Sequence, residues 1–80
     1  MKVAELRKKA IEIGANPNFY SILESKLMEG IVLSHTNDSW QVYYLDERGN
    51  VSNEHDFVSE DDACEYFLNY LLKHKALFGN

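Results

Sequence analysis

The constraint that most limits the fold lies in residues 39–72, where a two-residue period gives way to a helical one. Trp40, Val42 and Tyr44 alternate with Gln41, Tyr43 and Leu45, the side-to-side pattern of a β-strand. Residues 46–50, Asp-Glu-Arg-Gly-Asn, are turn chemistry, with Gly49 able to take a positive φ. Residues 51–57 read as a third, more polar strand anchored by Val51 and Phe57, with Glu54 and Asp56 guarding an edge. Ser59 then stands as an N-cap, with Asp62 three residues on. Glu60, Asp61 and Asp62 in the first turn, and Lys73, His74 and Lys75 in the last, suit the helix dipole. Ala63, Phe67, Tyr70 and Leu71 form the apolar stripe, flanked by Cys64 and Leu68.

The rest of the chain is arranged around that stretch. Val3, Leu6, Ala10 and Ile13 predict an amphipathic helix over residues 2–13, with Gly14 beyond its end and Asn16-Pro17 stopping it. Residues 16–29 fit either a short helix, with Asn16 as cap and Pro17 at its first position, or a short strand over 20–23. The preferred reading is a turn after Pro17 and then an extended piece, with Phe19 and Tyr20 plugging one end of the core. Residues 31–35 form a short β-branched strand, and Thr36-Asn37-Asp38 supplies the turn after it. Hairpin-length connections predict an antiparallel sheet. The expected fold is α+β, a single domain over residues 1–80: three to four antiparallel strands flanked by an N-terminal and a C-terminal helix, in the order α-β-β-β-α.

Charge narrows the function. The chain of 80 residues has a formal net charge of −5. Residues 38–65 hold nine acids against Arg48 alone, whereas Lys2, Arg7, Lys8 and Lys9 outnumber Glu5 and Glu12 in the first helix. An acidic surface disfavours nucleic acid and anionic membranes and favours a basic protein partner. The N-terminus lacks the apolar core of a signal peptide, and no run is long enough to span a membrane, so the expectation is a cytoplasmic protein.

Catalytic chemistry finds little support. No phosphate loop, dinucleotide fingerprint, nucleophile elbow or zinc-helix motif is present, and no cofactor is expected. His35, His55 and His74 are scattered, so no metal site is expected. Cys64 has acidic neighbours, which raise a thiol pKa, and reads as a core residue rather than a nucleophile. Asp46-Glu47 and Glu60-Asp61-Asp62 are carboxylate clusters, but acid–base work needs a concave site that so short a chain seldom builds. The chain is read as a non-enzyme.

The pattern Trp40-x-Val42-Tyr43-Tyr44, Glu47-Arg48-Gly49, Phe57-x-Ser59-Glu60 and Ala63-Cys64-x-Tyr66-Phe67 resembles small bacterial immunity proteins of polymorphic toxin and contact-dependent inhibition systems. The likeness covers roughly residues 30–72 and is weaker over the first helix. Asp46 stands where a small residue would be expected before Glu-Arg-Gly, which puts the turn's shape in question. The resemblance implies a cytoplasmic protein that binds and neutralises a cognate toxin domain, often a nuclease, without catalysis of its own. An acidic protein suits a toxin whose active site must bind phosphate. The residues expected to meet the partner are Tyr43 as apolar anchor, with Glu47, Arg48, Glu54, Asp56, Glu60 and Asp61 around it. For Arg48 the other reading is a pairing with a nearby carboxylate that holds the hairpin to the last helix. An adaptor or regulatory module that binds a host protein with no toxin involved accounts for the same residues. The expected state is a monomer or weak homodimer.

Overall fold

The computed structural model describes residues 1–23 and 29–74. In chain order it has α1 (Val3–Glu12), β1 (Tyr20–Ile22), β2 (Gly30–Thr36), β3 (Ser39–Leu45), β4 (Val51–Phe57) and α2 (Glu60–Lys73). The strands form one four-stranded sheet in sequence order, and the fold is α+β.

The sheet is mixed rather than purely antiparallel. β1 runs parallel to β2, with Tyr20 opposite Ile31 and Ile22 opposite Leu33, while the β2–β3 and β3–β4 pairs are antiparallel. The expectation failed because the rule behind it assumes strands of ordinary length. β1 has three residues, so the chain need retrace only about 10 Å before pairing in parallel.

Local chemistry explains the joins. Gly14 follows α1 at φ +77°, where a side chain would be strained. The Asn16 side chain accepts a bond from the Asn18 amide at 2.9 Å, so Pro17 opens a turn into β1, not a helix. Asp46 shapes the β3–β4 turn: its Oδ1 accepts from the amides of Arg48 (2.9 Å) and Asn50 (2.8 Å). The residue that departs from the expected pattern is thus the one that organises the turn. Ser59 caps α2 as the sequence implies, its hydroxyl accepting from the Asp62 amide at 3.2 Å.

Both helices cover one face of the sheet. Leu6 and Ala10 of α1 and Ala63, Cys64, Phe67 and Leu71 of α2 bury themselves against Ile22, Ile31, Leu33 and Val42. Phe19, Tyr20, Trp40, Tyr44 and Phe57 close the margins of this core, and the Tyr20 and Phe67 rings meet edge to face at 6.3 Å. Val51 does not join them. A bulge between Val42 and Tyr44 puts an extra residue on β4, with Asn53 at φ +53°, and the alternation slips there. Phe57 stays on the helix side, but Val51 comes opposite Leu45 and is half exposed. No helix among the described residues is long and apolar enough to cross a membrane.

Candidate protein-binding surface

The register assigns the sequence-predicted residues to two separate places. Val42 is fully buried under the helices, so its neighbours Gln41 and Tyr43 point to the opposite, open face. Asp56 is paired with Gln41 on that face, and Glu54 follows two residues away along β4. Tyr43, Glu54 and Asp56 therefore share one surface. Tyr43 is half-buried there and lies opposite Val32, which is only 4% exposed although it belongs to no helix-side cluster. Tyr43 is the half-buried aromatic of this face, and the β4 margin is charged.

β4 is unusually open for a regular strand, with six of its seven residues exposed. Among the described residues, neither the Glu54 nor the Asp56 carboxylate has an ion pair or a hydrogen bond. Glu47 and Arg48 sit exposed on the adjoining turn. The Arg48 guanidinium has no carboxylate partner among the described residues, so it does not tie the hairpin to α2. Five of the predicted residues, Tyr43, Glu47, Arg48, Glu54 and Asp56, thus lie on β3, β4 and the turn between them, and the four charged ones have no ion pair among the described residues.

Glu60 and Asp61 lie in the helical layer and have internal partners. Glu60 Oε2 accepts from the Val3 amide at 2.9 Å, satisfying one of the amides that a helix start leaves without a partner. Asp61 Oδ1 is 3.0 Å from the Met1 α-amino group, and Lys2 Nζ is within 4.0 Å of both acids. These acids join the starts of the two helices.

The bond from Met1 holds the Asp61 carboxyl below its ordinary value, with the Lys2 charge adding to it. The same bond raises the Met1 amine, although partial desolvation opposes the rise. The raised amine stabilises the fold at pH below its unfolded value, and that contribution disappears as pH rises through its folded value. The lowered carboxyl stabilises the fold above its unfolded value, and that contribution disappears as pH falls through its folded value. The bridge should therefore act between the two. Thermal melts are expected to show Asp61→Asn lowering Tm near neutral pH, with the gap from the parent closing at both extremes. A gap constant across pH would refute the assignment.

The remaining reactive groups are embedded in structure. Cys64 is fully buried, and burial first, then the Glu60 charge, push its thiol up to about 11. A thiol reagent such as Ellman's should leave the native protein unmodified and titrate one thiol once it is unfolded. Rapid native labelling would mean that the α2 seam opens. His35 stacks on Trp40 with ring centroids 3.9 Å apart and planes 4° from parallel. His55 Nδ1 lies 2.9 Å from the Asn53 carbonyl oxygen and 3.2 Å from the Tyr66 hydroxyl. Among the described residues no group of three or more His, Cys, Asp or Glu side chains could hold a metal ion.

A separate region, this one concave, is marked by no motif in the sequence. Beside α1, two adjoining hollows of about 270 and 540 Å³ share Ile11, Pro17 and Tyr20 as walls. Arg7 borders the smaller one and donates from Nη2 to the Ile22 carbonyl at 3.1 Å. The exposed Ile11 was the available clue, since it stands outside the helix's buried stripe.

Comparison with known proteins adds no relative to these surfaces: no protein-family model, curated protein or solved structure matches the chain.

Proposed function

We propose that the chain is a protein-binding domain that docks a basic partner on the open face of its sheet, around Tyr43 and the β4 margin. The single observation behind this reading is the pair of carboxylates on the exposed strand β4, Glu54 and Asp56, which have no partner among the described residues and stand beside the half-buried Tyr43 of β3. An aromatic anchor ringed by polar groups is the composition of an interface hot spot. The carboxylates accelerate capture of a positive surface and repel acidic ones. The partner we infer is a toxin domain with a basic, phosphate-binding active site of the kind a nuclease has. The protein then acts in the cytoplasm as its immunity protein, by stoichiometric binding rather than by catalysis.

The test is affinity purification of the tagged full chain from its native host, followed by mass spectrometry and a protection assay. The reading expects a C-terminal fragment of a large secreted protein, bound one to one, whose toxicity is suppressed when the two are co-expressed. A host enzyme or regulator as the stoichiometric partner, or a bound toxin against which the chain gives no protection, would overturn the immunity reading.

A further inference from the structure

β1 is the outer strand on the side opposite β4, and its hydrogen bonds define what its free edge offers. The Ile31 amide donates to the Phe19 carbonyl at 3.0 Å, and the Leu23 amide donates to the Leu33 carbonyl at 2.9 Å. In a parallel ladder with this register, Phe19, Ser21 and Leu23 turn their main-chain groups toward β2. Tyr20 and Ile22 therefore turn theirs outward. The Ile22 carbonyl already accepts from Arg7. The Tyr20 amide and carbonyl and the Ile22 amide have no partner among the described residues.

This edge is also the floor of a groove. α1 overhangs it with Arg7 and Ile11, one helical turn apart, and Pro17 stands at the end. Ile11 is 73% exposed, an apolar surface beside the outward main-chain groups of β1. The Arg7 guanidinium has five N–H donors, and its bond to the Ile22 carbonyl uses one nitrogen. Lys2 pairs with Glu60 and Asp61, and Lys9 with Glu5, whereas Arg7 and Lys8 have no carboxylate partner among the described residues. The groove thus presents the Arg7 cation, whereas the β4 margin is acidic.

We propose that this groove binds an extended acidic peptide segment of another protein, which adds to β1 as a fifth strand. Its main chain pairs with the Tyr20 amide and carbonyl and the Ile22 amide. An apolar side chain lies against Ile11 and Pro17, and a carboxylate pairs with Arg7. Main-chain bonds supply affinity, and the flanking side chains supply selectivity. Arg7 sets the sign of the ligand, because a guanidinium binds a carboxylate through two parallel bonds and repels a lysine. The site is at the opposite edge of the sheet from the acidic face, and the proposal stands whether or not a toxin is the partner there.

The test is an NMR titration of the ¹⁵N-labelled full chain with the blocked peptide acetyl-Thr-Val-Glu-Val-Glu-Val-Thr-amide. Saturable shifts are expected at Tyr20, Ile22 and Ile11, with slowed hydrogen exchange at the Tyr20 and Ile22 amides. The same peptide with lysine in place of glutamate should bind at least about tenfold more weakly. Arg7→Gln should weaken the acidic peptide about tenfold, and Ile11→Asp, at an exposed position, should weaken it without unfolding the chain. Four results would overturn the proposal. The first is no shift at these residues at millimolar peptide, and the second is equal binding of the lysine peptide. The third is tighter binding after Arg7→Gln, which would make Arg7 a guard of the edge and not a reader. The fourth is concentration-dependent shifts of the Tyr20 amide without peptide, which would make the occupant a second copy of the chain.

Discussion

Gly30→Ala should remove β1 from the sheet and destabilise the fold by roughly 3 kcal/mol or more. Gly30 has φ +136°, a conformation that L side chains rarely adopt. A Cβ there would overlap the Phe19 carbonyl and come within 2.9 Å of the Phe19 Cα. All of these are backbone atoms, so no rotamer change relieves the clash. The displaced carbonyl is the acceptor of the Ile31 amide, so the first bond of the parallel ladder goes with it. A domain of this size has a total stability of only about 4–12 kcal/mol, so the loss is a large share. Gly49→Ala is the control. Gly49 has φ +85° but nothing within 4 Å of its would-be Cβ, so only the local strain applies, about 1 kcal/mol. Urea unfolding of the two variants should separate them by at least about 2 kcal/mol. Equal midpoints would mean that the Phe19–Gly30 approach is not as tight as described.

The contrast between these glycines shows where the sequence could be read and where it could not. Gly49 announces itself, because a turn between two alternating runs needs a positive φ and the signal is local. Gly30 reads as no more than the residue before a strand, since its constraint comes from Phe19 across a parallel pair. The same division holds elsewhere. Alternation over residues 39–45 put Tyr43 on the open face, and the Ser59 cap put the start of α2 in place, each from neighbouring residues alone. Val51 was misread as a core anchor because the Asn53 bulge breaks the period of two, and the tolerance of asparagine for positive φ is too weak a signal to mark the break by itself. Glu60 and Asp61 looked like partner-facing charges because they belong to the acid-rich run over residues 38–65. That the start of α1 lies against them is a contact 57 or more residues away in sequence, beyond the reach of any local pattern.

The double variant Glu54→Lys with Asp56→Lys should bind the basic partner about 10²–10³-fold more weakly, chiefly through slower association. Both carboxylates lie on an exposed strand, and the substitutions break no bond or ion pair among the described residues. The change in stability should therefore stay within about 0.5 kcal/mol, and the sheet should persist by circular dichroism. Tyr43→Ala should act on the other rate. It removes apolar contact at the centre of the face, so dissociation should quicken while the salt dependence of association is retained. Glu60→Gln gives the opposite profile. It weakens the join between the helix starts, where the Val3 amide is bonded at 2.9 Å, and should lower stability while leaving partner affinity within a few-fold of the parent. Surface plasmon resonance on the co-purified partner at two salt concentrations, alongside urea melts, separates the three. If the β4 reversal leaves association unchanged while Glu60→Gln abolishes it, the docking surface is the helical layer and not the open face of the sheet.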